Sequence, residues 1–338
     1  VKMFFILILG LVFSLHWAKE AKMDELIELL PQLVTGAKKQ NDVSASLASS
    51  LNLHGLSPLA AYRSFNNEDL AKVRYQAAAQ YLARQSLLNE LDSLFQIAGI
   101  EAVLLKGASV AERYWPEANL RPSCDLDLLL REEDKDKANE VFTKLGYVLA
   151  VETPSGQKWK ASSMGKPPLD IAYSLRAARA VNPTYQIETS AVFNDSVRLN
   201  EDSVLRVMDP YNQLLHCAVH AADHAFSRLL WLADLAFICE TEKSLLSQDQ
   251  LFNIASQTKA SRALRLALSL AFGLFLPHRV NEIATPPWGT KWLVKRISNA
   301  PSQWGDQFIT PKLRTMLRAC LVDRPEDLLR AFVGLPAK

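Results

Sequence analysis

Four cysteines serve 338 residues, and none forms a C-x-x-C pair. Cys124, Cys217, Cys239 and Cys320 are scattered along the chain, which argues against a structural zinc site or a disulfide framework and suits a reducing compartment. Charge of one sign is also lacking. The formal net charge is +2, so no basic excess marks a nucleic-acid binder. Repeats and low-complexity tracts are absent. Residues 3–18 form an uncharged, mostly apolar run after Lys2. The run is short for a membrane span, which needs ~20 apolar residues, and no clear small-x-small cleavage site follows it. Residues 1–22 are therefore expected to be a docked apolar helix, or sequence upstream of a natural start near Met23. Membrane association through residues 3–18 is the less favoured reading. What remains is ordinary globular composition, 49% hydrophobic and 22% charged, enough for one large or two modest domains.

Residues 23–98 read as helical. Leu26, Ile27, Leu29, Leu30 and Leu33 share one face, and residues 70–98 carry helical spacing ended by Gly99. Residues 35–57 are polar and predict a loop with a short helix. Residues 99–207 alternate in character. Strands are predicted at 102–106, 126–130, 147–152, 158–162, 169–174 and 196–199, and helices near 108–114 and 134–145. Residues 208–338 read as helices, the strongest being one continuous helix over 214–239. The fold class is α+β: a small mixed-sheet domain flanked by helical segments, divided as 1–22, 23–98, 99–207 and 208–338.

The chemistry concentrates in residues 104–130, LLKGASVAERYWPEANLRPSCDLDLLL. Asp125 and Asp127 stand one residue apart, so a strand places both carboxylates on one face while Leu126 and Leu128 turn to the other. Carboxylates beside so apolar a run need a countercharge. A hard, oxygen-liganded cation such as Mg²⁺ supplies it and also takes substrate phosphates. Upstream, an apolar strand meets Lys106-Gly107-Ala108-Ser109 at a helix start, which offers free backbone N–H groups to a phosphate. A cation site facing an anion site suits nucleotidyl transfer.

These residues resemble the DNA polymerase β-like nucleotidyltransferase superfamily, and more closely its uncharacterised nucleotidyltransferase family. The resemblance is carried by His54, Pro58, Gly99-Ile100, Leu104-Leu105-Lys106-Gly107, Tyr114, Arg121, Asp125-Leu126-Asp127, Gly146-Tyr147, Asp170 and residues 216–234. It implies two Mg²⁺ ions held by Asp125 and Asp127, with Asp170 as a third carboxylate that also accepts the acceptor's proton. The family often has a histidine two residues beyond this position, where this chain has Ala172. Lys106 is expected on triphosphate oxygens, with Gly107 at the phosphate-binding turn. Ser109 is expected to donate to a phosphate or to cap the helix. Arg121 either pairs with a phosphate or orients Asp125 or Asp127 through a salt bridge.

His216, His220, His224 and Arg228 recur every four residues, one face of a helix. A zinc site is the lesser reading. A polar stripe facing the nucleotide cleft is preferred, with His220 and Arg228 its nucleotide-binding members. Tyr114, Trp115, Phe226 and Trp231 could stack on a base, although aromatics at such spacing more often form core.

The predicted activity is Mg²⁺-dependent transfer of a nucleoside monophosphate from an NTP such as ATP to an acceptor hydroxyl, releasing pyrophosphate. The acceptor stays open: a small molecule such as an aminoglycoside-like sugar, a protein side chain or an RNA end. Two alternatives stand beside this, a catalytically silent nucleotide-sensing or partner-binding module and a phosphotransferase on the same two-metal site. Dependence on NTP predicts a cytoplasmic protein.

Overall fold

The computed structural model describes residues 25–36, 42–63, 67–175, 185, 187–243, 247–282, 285–324 and 327. The apolar segment 1–22 lies outside the described residues. Among those described, no helix is long and apolar enough to cross a membrane.

The chain opens with helices α1 (Glu25–Thr35), α2 (Ala45–Leu53), α3 (Ser57–Tyr62) and the 31-residue α4 (Glu68–Ala98). Asn67 starts α4, its side chain accepting from the N–H groups of Asp69 and Leu70. Gly99 ends it at φ 67°, a left-handed cap that favours glycine. The sheet region follows: β1 (Ala102–Leu104), α5 (Lys106–Tyr114), β2 (Leu126–Leu130), α6 (Lys135–Lys144), β3 (Tyr147–Thr153), β4 (Gly156–Ala161), β5 (Leu169–Ala172), α7 (Thr189–Asp195), β6 (Val197–Arg198) and β7 (Leu205–Val207). Six helices complete the described chain: α8 (Pro210–Asp223), α9 (Leu229–Thr241), α10 (Gln248–Gln257), α11 (Ser261–Phe275), α12 (Lys291–Asn299) and α13 (Pro311–Leu321).

The strands form one mixed seven-stranded sheet in the order β3-β4-β5-β2-β1-β7-β6. β2 runs antiparallel to β1 and parallel to β5. Leu126, Leu128 and Leu130 turn to one face, where they meet Leu87, Leu91 and Phe95 of α4 and Phe142 of α6. Each such leucine contributes about 1.5–3 kcal/mol of burial. Leu129 turns to the opposite face and joins a larger core built from α1, α8, α9 and α11. Asp127 lies on that face too, between the sheet and the C-terminal helices.

Two expectations are corrected. The single helix over 214–239 is two helices, α8 and α9, because Ala225 and Phe226 adopt left-handed φ values of 51° and 57°. No glycine marks this break. The sheet also gains β7, a three-residue strand parallel to β1 and too short for periodicity to reveal.

Candidate active site

β2 and β5 pair in register, with Asp127 opposite Asp170. Asp125, one residue ahead of β2, shares the Asp127 face. One ligand oxygen from each of Asp125, Asp127 and Asp170 falls within 4.8 Å of the others. This all-oxygen donor set fits a hard divalent cation. Two ammonium groups also stand against it: Lys106 Nζ is 2.8 Å from Asp127, and Lys158 Nζ is 2.8 Å from Asp170. Burial pushes the Asp127 carboxyl up, Lys106 draws it down, and the other two carboxylates push it up again, leaving it above the ordinary carboxylate range. Burial draws Lys106 down, but Asp127 outweighs that and holds the ammonium charged. Lys106 sits at φ 42°, a strained conformation of the kind that clusters at functional sites. It begins α5, so the first N–H groups of that helix have no partner within it.

Two cavities meet at the carboxylates. The larger, about 640 Å³, runs from Gly107, Ser123 and Asp125 to Gln76 and Gln80 of α4, with Arg228 and Trp231 on its far side. The smaller, about 320 Å³, lies between the β3–β4 hairpin and α8. Lys106, Asp127, Lys158, Asp170, His220 and His224 line both.

Sequence reasoning left Lys158 unnamed. Ser109 and Arg121, which lines the larger cavity, have partners it did not name. Ser109 is fully buried in the body of α5, where its hydroxyl donates to Gln213 Oε1 at 2.6 Å. It caps no helix and lines neither cavity. Arg121 pairs with Asp234 of α9, not with Asp125 or Asp127. Its Nε and Nη2 donate at 2.7 and 2.6 Å, and Trp115 Nε1 donates to the same carboxylate at 2.8 Å. Both charges are nearly inaccessible, at 5% and 2% exposure. The signal was legible: Asp234 is the lone charge in LLWLADLAFIC, and a buried carboxylate requires a partner. Gly107 fits this pair tightly. A Cβ there would stand 2.7 Å from Ser123 Oγ and 2.9 Å from Arg121 Nη1.

The histidines divide by role. His54 locks the turn after α2 to the start of α9: Leu229 N–H donates to its Nδ1, which leaves Nε2 to donate to the Pro301 carbonyl at 3.0 Å. His220 and His224 pack with Trp231, ring centroids 4.7–5.2 Å apart, between the cavities. Burial and the nearby Lys106 hold both below the ordinary histidine range. Arg228 is exposed at the mouth of the larger cavity. His216 is buried, with neither ring nitrogen hydrogen-bonded among the described residues. No histidine joins the candidate metal cluster found among the described residues. Tyr114, Trp115 and Phe226 are core residues at 6% exposure or less, while half-buried Trp231 lines the larger cavity.

A mixed sheet bearing this acidic cluster between helical segments defines a nucleotidyltransferase-type enzyme. Residues 31–275 match the uncharacterised nucleotidyltransferase family, and the chain belongs to it. No curated protein matches the chain in sequence. Two solved structures overlap half of it. A solution structure of the antibiotic-resistance factor ANT(2'')-Ia has 12% identity and a TM-score of 0.37, covering 51% of this chain and 89% of that one. A crystal structure of ANT(2'')-Ia in complex with adenylyl-2''-tobramycin has 13% identity and a TM-score of 0.38, covering 51% and 95%.

Proposed function

We propose that this chain transfers a nucleoside monophosphate from an NTP to an acceptor hydroxyl, with Asp125, Asp127 and Asp170 as the metal-binding carboxylates. The in-register pairing of Asp127 with Asp170, at the junction of two cavities, carries this reading. The larger cavity takes the NTP. It contains Lys106 and Gly107 at the start of α5, and an N–H-rich helix start attracts phosphate. Mg²⁺ held by the carboxylates would neutralise triphosphate charge and make the acceptor hydroxyl more acidic. Lys106 then exchanges Asp127 for triphosphate oxygens as a mobile point charge. Arg228 adds positive charge at the cavity mouth, and His220 borders the nucleotide.

The acceptor oxygen attacks the α-phosphorus. A new P–O bond forms, the bond to the bridging oxygen breaks, and pyrophosphate leaves. Asp170 accepts the hydroxyl proton, a contribution of about 10²–10⁴-fold for a positioned base. Use of an NTP donor, together with cysteines that are all free, fits a cytoplasmic enzyme.

One observation favours a catalytically silent nucleotide-binding module: two of the carboxylates already have ammonium partners at 2.8 Å. Product analysis with α-labelled NTP separates the readings. Labelled acceptor or monophosphate with pyrophosphate supports nucleotidyl transfer. Diphosphate marks a phosphotransferase, and no turnover under any acceptor condition marks the silent module.

A further inference from the structure

The smaller cavity holds a second, chemically distinct set of groups. Beyond the shared carboxylates, it is walled by Val151 of β3, Leu175, and Val219 of α8, and it contains Tyr185 and His216. Tyr185 and His216 are 4% and 7% exposed. Tyr185 Oη and both ring nitrogens of His216 have no hydrogen-bond partner among the described residues. Each orphaned polar group costs about 1–3 kcal/mol when buried, so a stable fold retains them most readily where a ligand completes them.

The kind of ligand follows from their charge state. Burial, reinforced by Lys106, pushes His216 down to about 3, so its ring is neutral at physiological pH, with one donor and one acceptor. Burial pushes the Tyr185 phenol up, so it keeps its proton. Neither group brings a positive charge to an anion. Asp127, Asp170 and Asp223 line the cavity against Lys106 and Lys158, and each lysine already has a carboxylate partner. No arginine lines it among the described residues. With Lys106 given over to the triphosphate, Lys158, paired with Asp170, is the one lysine or arginine among the described residues left there for a phosphate-bearing polymer. A hydroxyl group both donates and accepts, which suits a neutral imidazole and a phenol. The apolar walls suit the C–H face of a ring. A volume of about 320 Å³ lies at the small-molecule end of binding pockets.

We propose that this cavity is the acceptor subsite and takes a small, hydroxyl-rich ring such as a sugar or cyclitol, held by Tyr185 Oη and the His216 imidazole with one hydroxyl presented at Asp170. The assignment rests on the nucleotidyltransferase reading. It excludes an RNA end and a protein side chain as the principal acceptor.

Pyrophosphate release tests it, measured on the full chain with Mg²⁺ and each NTP. The ring probes are glucose, glucosamine and myo-inositol. A single-stranded oligoribonucleotide and a Ser/Tyr-containing peptide are the rivals. At least one ring probe is expected to raise release about tenfold or more over water. Tyr185→Phe and His216→Leu should then raise the KM for that probe about tenfold, the worth of a hydrogen bond, while the Kd for Mg-NTP is unchanged. Tyr185→Phe removes one oxygen atom and decides the matter if His216→Leu does not fold. Stimulation by the oligoribonucleotide or peptide alone overturns the proposal. So does an unaltered KM in Tyr185→Phe, or no response to any ring probe by a parent that binds Mg-NTP. A parent that binds no Mg-NTP instead defeats the underlying reading, and the acceptor assignment falls with it.

Discussion

Removing the Asp234 carboxylate should destabilise the protein far more than an average substitution. Arg121 and Asp234 are 5% and 2% exposed and share two hydrogen bonds of 2.6–2.7 Å, and Trp115 adds a third donor to the carboxylate. Asp234→Ala strands a guanidinium that cannot shed its proton and is 5% exposed. Breaking a buried pair in this way costs about 3–5 kcal/mol. Losing the Trp115 bond lies within that range, because both bonds end on the same carboxylate. Urea unfolding followed by fluorescence reads the loss as a lower midpoint with an unchanged slope. The double variant Arg121→Met/Asp234→Leu removes both charges together and should recover most of the loss, since apolar replacement of a buried pair is often neutral. A loss below about 1 kcal/mol in Asp234→Ala would refute the reasoning, as would a double variant no better than the single one. The site should respond as well, because Arg121 stands directly behind Gly107.

Gly107→Ala brings a methyl group to 2.9 Å from Arg121 Nη1, an atom that the Asp234 pair prevents from yielding. We expect a loss of about 1–3 kcal/mol from overpacking, with weaker NTP affinity by titration; parent-like values of both would contradict the tight fit. His216 carries a pH dependence. Its pKa is about 3 in the fold against 6.5 for the free side chain, so the unfolded chain takes up the proton first as pH falls. Relative to its value at neutral pH, the stability of the fold therefore declines below about pH 6.5, by about 1.4 kcal/mol at pH 5.5. Relative to His216→Leu, the parent should lose that amount of stability between pH 7.5 and 5.5; a difference independent of pH would show that His216 protonates freely in the fold.

Some of this architecture was legible in the chain, and the reason is range. Asp125-Leu126-Asp127-Leu128 obeys a period of two, so the face shared by the carboxylates followed from local geometry. Gly99 announced the end of α4 for an equally local reason. The Arg121 salt bridge was assigned to the wrong carboxylates because its partner lies 113 residues away. Asp125 and Asp127 were nearer in sequence and seemed the natural counterions. The Ser109 hydroxyl likewise goes to a distant residue, Gln213 on α8. The four-residue spacing from His216 to Arg228 suggested one helix. Ala225 and Phe226 interrupt it in left-handed conformations that neither residue prefers. The stripe nonetheless stays near the cavities, because α9 restarts with Arg228 at its first cap. Division of the site into two cavities depends on the β3–β4 hairpin facing α8, a tertiary relation that no local pattern records.

The central claim is that Asp125, Asp127 and Asp170 bind an NTP through a divalent cation. Thermal unfolding of the parent and of Asp125→Asn tests it most directly, with each NTP in the presence and absence of Mg²⁺. Asp125 is the most open of the three carboxylates, so its replacement should spare the fold. Saturation at 100 times Kd should stabilise the parent by about 2.7 kcal/mol, only with Mg²⁺, and Asp125→Asn should lose the shift. An equal, Mg²⁺-independent shift in parent and variant would contradict the account, and so would no shift in the parent with any NTP.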